Sequence, residues 1–184
     1  SLGYGEMTQG SFNKVLNFFV NQAPDNLRMR EGCSFLDIGA GFGKCVMHAR
    51  IVCPWLKKCV GVECLPFRVN MSRNINRKLI DQGILQKGES KGCKFIQGDI
   101  TRKKQLSFTH LYCFDYVFSD ATHEMLAPVL EHSMPRLLVI FISPQKMQKF
   151  GFHSYSLLLK FTARTTFAGQ QLTGYIYTRK EYAS

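Results

Sequence analysis

Residues 35–43 read FLDIGAGFG, an apolar run into Asp37 followed by glycines at 39, 41 and 43. Few folds accept such a segment. Glycine has no Cβ, so Gly39, Gly41 and Gly43 let the main chain turn sharply at a strand-to-helix junction and let a ligand lie against bare backbone. A second apolar run closes on Glu63, 26 positions after Asp37. An acidic residue at the end of the second strand, in reach of both ribose hydroxyls, is the arrangement that dinucleotide folds use. Loop and acid together predict an α/β sheet with a nucleotide-type cofactor at its rim.

The spacing narrows the ligand. A pyrophosphate loop is G-x-G-x-x-G, with the helix N-terminus open to the phosphates. Here the third glycine comes one residue early, Lys44 fills the later slot, and Asp37 would face an incoming phosphate. A carboxylate at that place suits a ligand with a cationic amino-acid end. S-adenosylmethionine has such an end, and D-x-G-x-G-x-G resembles the opening loop of class I methyltransferases. The alternative is a glycine turn that holds no ligand.

Strand and helix signals alternate along the chain. Residues 8–22 place Phe12, Val15, Leu16, Phe19 and Val20 on one helical stripe, with Thr8 or Ser11 as cap. A helix over 43–52 stops near Pro54, a strand covers 57–63, and Pro66 opens a helix to about residue 81. Further strands are expected at 93–97, at 114–120 (FDYVFSD) and at 137–143 (LLVIFIS). Segments 155–164 and 172–179 have no helix between them and read as an antiparallel hairpin. Short apolar runs alternating with helices argue for a parallel sheet covered on both faces. The expected fold class is therefore α/β, a Rossmann-like class I methyltransferase sheet of seven mostly parallel strands with an antiparallel C-terminal hairpin. It forms one domain over 1–184, in which 1–30 supply an N-terminal loop and helix and 31–184 the core. Ligands of such sheets sit beyond the carboxyl ends of the strands, where Asp37, Glu63, Asp99 and Asp120 are expected to converge.

Of the 184 residues 45% are hydrophobic, enough for a substantial core. No run of about eighteen apolar residues occurs and no charged-then-apolar leader opens the sequence, so a soluble intracellular protein is expected. The seven cysteines form no C-x-x-C pair, and the five histidines lie at no ligand spacing to them. Reduced, buried thiols and no metal are expected. The net charge of +11 points to an acidic partner. Basic residues gather at Arg68, Arg73, Arg77 and Lys78, at Lys87, Lys91 and Lys94, and at Arg102, Lys103 and Lys104. Each cluster alone reads as a solvated face; the unbalanced total argues for nucleic acid or chromatin.

Tyr4-Gly5-Glu6, then Thr8 and an amphipathic helix, DIGAGFG, GVEC at 61–64, QGDI at 97–100 and VFSD at 117–120 follow in an order that resembles one family over nearly the whole chain. That family is the Dot-one-type (disruptor of telomeric silencing) histone-lysine methyltransferases, and the likeness is to compact protist, kinetoplastid-like versions of it. The tail TTFAGQQLTGYIYTR, 165–179, is similar to the family's closing hairpin. The resemblance implies methylation of a lysine in the globular core of histone H-three on the nucleosome, without a SET domain. S-adenosyl-L-methionine would be the donor and S-adenosyl-L-homocysteine the product. It also implies a nuclear monomer that touches nucleosomal DNA through its basic surface and no membrane.

Carried over by position, the resemblance implies that Tyr4, Gly5, Glu6, Met7 and Thr8 form a loop over the donor. Asp37, Gly39, Gly41 and Lys44 would line its amino-acid end, Glu63 with Cys64 its ribose, and Asp99 and Ile100 its adenine, with Ser119 completing the set. Asp120 and Tyr175 would act at the reacting centre, with Thr122, Phe167 and Tyr177 along the lysine channel. Tyr4 has an alternative as a core anchor. Some positions depart from the pattern: Lys44 stands for a glutamine, Asp120 for an asparagine, Ala121-Thr122 for an asparagine-phenylalanine pair and Phe167 for a tryptophan. Gly174 fills the place of a tyrosine, and Tyr175 follows it.

Methyl transfer to lysine needs a neutral amine. An unperturbed pKa near 10.4 leaves about one amine in a thousand neutral near pH 7.4, a deficit of roughly 4 kcal/mol. An apolar aromatic channel recovers part of it by disfavouring the charged form. Phe167, Tyr175 and Tyr177 are candidate walls, or else an ordinary half-buried strand pattern. A carboxylate beside the amine would raise its pKa, so Asp120 is expected to orient donor or lysine and not to act as a strong base. His123 is either a proton relay or a surface residue at a helix start. Two rival functions share the donor site: an RNA methyltransferase and an inactive donor-binding chromatin module. VFSDATH lacks the N-P-P-aromatic signature of many amino-directed base methyltransferases.

Overall fold

Five successive buried residues, Ser34–Ile38, form β1, and a strand with no exposed face belongs in the middle of a sheet covered on both sides. A computed structural model describes residues 6–88, 92–166 and 170–183, so Tyr4, Gly5 and Phe167 lie outside the described residues. β1 pairs in parallel with β2 (Lys58–Glu63) and with β4 (His110–Cys113). β3 (Lys94–Gln97) lies outside β2, and β5 (Leu137–Ile140) outside β4, both parallel. The hairpin of β6 (Tyr155–Arg164) and β7 (Gln171–Arg179) joins through β7, antiparallel to β5. The result is a seven-stranded sheet of order 3-2-1-4-5-7-6.

Two apolar clusters cover its faces. Residues of α1 (Gln9–Asn17), α2 (Lys44–Val52) and α3 (Pro66–Asp81) pack with Phe35, Cys59, Phe95 and Tyr112. Residues of α4 (Asp120–Glu131) and α5 (Pro144–Lys149) pack with Leu36, Ile38, Leu111 and Cys113. The two-residue period of a strand therefore puts Asp37 on the α1–α3 side, beside Phe35. Of the two candidate caps for α1, Thr8 acts: its Oγ1 accepts the Ser11 N–H at 3.4 Å. The helix runs on into a π turn, Phe18–Gln22, closed by the Ala23 N–H on the Phe18 carbonyl at 2.8 Å. That wider turn keeps Phe19 fully buried.

The fourth strand departs from the sequence reading. The expected span was 114–120, but the residues paired with Phe35–Ile38 are His110–Cys113. Both runs are apolar, and burial separates them. Leu111, Tyr112 and Cys113 are buried in the sheet, whereas Tyr116 and Val117 are exposed. The chain turns out of the sheet at Asp115, whose carbonyl accepts the Phe118 N–H at 2.9 Å. Asp120 accordingly opens α4 and does not end a strand.

His110 hid this strand, because a histidine reads as polar while here it is fully buried. Its Nε2 donates to the Leu27 carbonyl at 2.9 Å and its ring packs against Phe19 at 5.0 Å. Burial, opposed by the Leu27 contact and reinforced by Arg136, pushes this imidazole down to about 3. Unfolded histidine takes up a proton near pH 6.5, so between there and about 3 the unfolded chain binds the proton that folded His110 refuses. Stability contributed by neutral His110 is thus whole above that window and declines as pH falls, by up to about 1.4 kcal/mol per pH unit. Urea unfolding of the wild type from pH 6.5 to 5.0 should show this decline, and His110→Gln should flatten it; equal slopes would refute the assignment.

Candidate functional site

The carboxyl ends of β1, β2, β3 and β4 meet at the switch point where strand order reverses, the usual ligand crevice of an open α/β sheet. A cavity of about 280 Å³ opens there. Its lining comes from Gly39 after β1, Glu63 and Cys64 at the end of β2, Asp99 and Ile100 after β3, and Phe114, Val117 and Phe118 after β4. Thr122 of α4 adds to the wall. Carboxylates thus sit on one side of this cavity and aromatic and aliphatic surface on the other, which suits a ribose joined to a flat base.

Glu63 is buried and its Oε2 accepts the Gly41 N–H at 2.9 Å, while Oε1 accepts the Leu65 N–H at 2.9 Å. A carboxylate has about four lone-pair sites, so each oxygen can take one further donor. The Cys64 thiol, 3.4 Å from Oε1, is a weak occupant of one of them. Asp99 caps a short turn, its Oδ1 accepting the Thr101 N–H and hydroxyl at 3.0 and 2.7 Å. Those hydrogen bonds, with Arg102, hold its carboxyl below its ordinary range.

Asp37 differs from both. It is almost wholly buried, and among the described residues no donor is bonded to its carboxylate. Burial first, then the nearby charges of Glu63 and Glu6, push its pKa well above the ordinary value. Lys44, the cation in the sequence loop, does not answer it: its Nζ pairs with Glu6 at 2.8 Å. A buried carboxylate without a donor is costly, and a cationic ligand end is the chemistry that relieves it. Asp37 itself does not line the cavity of about 280 Å³, which its chain neighbours Ile38 and Gly39 border. What does line it, Glu63 and Asp99 beside aromatic and aliphatic surface, fits the adenosine part of such a ligand.

A second cavity, about 390 Å³, adjoins the first across Phe118, which lines both. Tyr116, Phe141 and Tyr175 wall it, with Asp115, His123, Asp120 and Lys146 as polar members. Asp115 and His123 are buried, with Nε2 2.7 Å from Asp115 Oδ2. Asp115 Oδ1 accepts the Phe141 N–H at 2.6 Å. Nδ1 of His123 lies 3.0 Å from the Ser119 carbonyl, which can only accept. His123 is thus buried and no surface residue, with both ring nitrogens engaged within the protein. Its ring, stacked 5.1 Å from Phe150, pins the 114–119 loop. Asp115, Tyr116 and Phe118 escaped the sequence reading because FDYVF looks like a strand, with the HLYC run just ahead as the available signal, and Phe141 because the expected strand 137–143 in fact ends at Ile140.

Other expected residues fall elsewhere. Ser119 caps α4, accepting the Thr122 N–H at 3.2 Å, and is not in the donor wall. Thr122 lines the first cavity and not the second. Tyr177 is a core residue, 1% exposed with its hydroxyl on the Ile142 carbonyl at 2.9 Å, so it walls no channel. Glu6, Met7 and Lys44 line a separate groove against α1, α2 and α3, and Thr8 is the α1 cap. Asp120 is exposed and paired with Lys149 at 2.8 Å, which lowers its pKa; it reaches only the rim of the second cavity. Gly174 faces the Phe161 ring, where a Cβ would come within 2.3 Å of the ring's far edge.

No family model and no curated protein matches the chain. Solved structures do. TrmN from Thermus thermophilus superposes with a TM-score of 0.63 at 11% identity, over 90% of this chain and 47% of that one. TrmK of M. capricolum, bound to S-adenosyl-homocysteine, gives 0.62 at 11% identity over 95% of this chain and 70% of that one. The small RNA methyltransferase HEN1 gives 0.69 at 14% identity over 95% and 25%. The chain thus spans about half of TrmN and a quarter of HEN1. Together with the strand order, these likenesses establish the class I S-adenosylmethionine-dependent methyltransferase fold.

Two substitutions separate the roles of the acids. Asp37→Asn should raise the melting temperature of the ligand-free protein, because it removes a buried carboxylate that repels Glu63 and Glu6. The same change should weaken S-adenosylmethionine about tenfold or more in calorimetry, the worth of a hydrogen bond to a charged group. Wild-type affinity should fall with pH as the raised Asp37 carboxyl protonates. A variant that melts lower, or binds as well, contradicts this. Asp120→Asn should leave donor affinity unchanged in the same titration; a clear loss would return Asp120 to the donor site.

Proposed function

We propose that the protein is an S-adenosyl-L-methionine-dependent histone-lysine N-methyltransferase acting on the globular core of histone H-three in nucleosomes. The observation that carries the reading is the pair of cavities sharing Phe118, one acid-lined at the strand ends and one aromatic. When bound, the donor supplies a methyl group on a sulfonium. Glu63 and Asp37 bind and orient it, and Phe114, Val117 and Phe118 shield it from water. Tyr116, Phe141 and Tyr175 receive the aliphatic stem of a lysine and disfavour its charged form. Because alignment and desolvation do most of the work of such a displacement, the reading requires no strong base. Asp115 is already engaged by His123 and the Phe141 N–H. The motif order of the Dot-one type selects the histone, and a nuclear location and nucleosome contact follow from it.

An RNA methyltransferase is the second reading, favoured by the HEN1 likeness and the net charge of +11. Against a cysteine-nucleophile version of it, Cys113 at the end of β4 is fully buried, and burial, Asp115 and Asp37 hold its thiol protonated. Tritiated donor mixed with nucleosomes, free histones and total RNA decides between them. The expected label is on histone H-three in nucleosomes. Label confined to RNA overturns the proposal, and measurable donor binding without label anywhere identifies an inactive module.

A further inference from the structure

A groove of about 320 Å³ runs between the turn after β3 and the C-terminal half of α4, lined by Thr101, Lys103, Lys104, Pro128, Val129 and His132. Thr101 also lines the donor cavity, so the two are neighbours. Lys103 and Lys104 are exposed, and among the described residues neither side-chain ammonium has an ion-pair or hydrogen-bond partner. Among the described residues no carboxylate lines the groove. The acids closest in sequence are committed: Asp99 to Thr101 and Arg102, and Glu131 to the Ser154 N–H and hydroxyl at 3.0 and 2.7 Å. His132 Nδ1 is taken by the Pro128 carbonyl at 2.6 Å, which leaves Nε2 as its open polar atom.

Two unneutralised ammonium groups over a floor of Pro128 and Val129 make a seat for phosphate groups. Arg102 on the same turn is 86% exposed and paired with Asp99 at 3.5 Å. Unlike a scattered basic surface, this charge is concave and borders the donor site. We propose that the groove binds the phosphodiester backbone of a nucleic acid and holds it alongside the donor cavity. The proposal rests on the nucleosomal reading only for the source of those phosphates, duplex DNA; a single-stranded RNA would present the same chemistry.

Salt dependence tests it, because each neutralised phosphate changes the slope of log affinity against log salt by about 0.9 for duplex DNA and about 0.7 for single strands. Lys103→Gln/Lys104→Gln should lower the magnitude of the duplex slope by about 1.8, read by fluorescence anisotropy on a labelled duplex. The control is Lys57→Gln/Lys58→Gln, two exposed lysines at the amino end of β2, away from the groove. It removes the same charge and should leave the slope unchanged. Equal losses in both variants, or none in either, overturn the proposal. A loss of about 1.4 on single-stranded RNA, with no change on duplex, assigns the groove to RNA. Calorimetry with S-adenosylmethionine should be the same for all three proteins. If the wild type binds no donor yet the groove variant alone loses slope, the groove stands and the methyltransferase reading falls.

Discussion

The approach of the glycine loop to the sheet, closer than any side chain allows, is the constraint on which this structure rests. Gly43 has φ of 79°, and a Cβ there would lie 2.4 Å from the Phe95 ring and 2.9 Å from the Ser72 Cβ. At Gly61, in β2, a Cβ would meet that of Ala40 at 2.7 Å. The loop, β2 and β3 therefore close on one another through missing atoms. Only with the loop this near can Glu63 reach the Gly41 N–H. That bond ties the acid of one strand to the turn of the next and sets the edge of the donor cavity.

Asp37, near the end of the strand that leads into this loop, is buried. Lys44 is drawn off by Glu6, and among the described residues no donor is bonded to the Asp37 carboxylate, which lies near Glu63 and Glu6. On the proposed reading an ammonium-bearing ligand is preferred there over a pyrophosphate, because this charge opposes the anion that a helix N-terminus alone would favour.

Much of this was legible in the chain. The loop, the strand before it, Glu63, Pro66 as a helix opener and the C-terminal hairpin follow from local rules about glycine, proline and alternating hydrophobicity, and those rules operate over a few residues. What local rules cannot decide is whether an apolar run lines a core or a cavity. FDYVF carries the hydrophobicity of a strand and spends it on the walls of two cavities, while the true strand holds a buried histidine that reads as polar. Tyr175 and Tyr177 show the same limit. They are two residues apart on β7 and on the same face, with rings 6.1 Å apart, yet one lines the second cavity and the other donates its hydroxyl into the core. Position along the sheet relative to β5 separates them, and no sequence period encodes it. Thr122 and Ser119 likewise fall at other places than expected, because α4 starts at Asp120, the last residue of the expected strand, with Ser119 as its cap.

Phe118 belongs to both cavities, and its ring packs 3.4 Å from the position a Cβ on Gly39 would take. It is a partition with one thickness and two tenants. Any movement of this one side chain would change the shape of both cavities together. The loop that carries it is anchored by a buried histidine–aspartate pair, which makes that partition as firm as the core behind it.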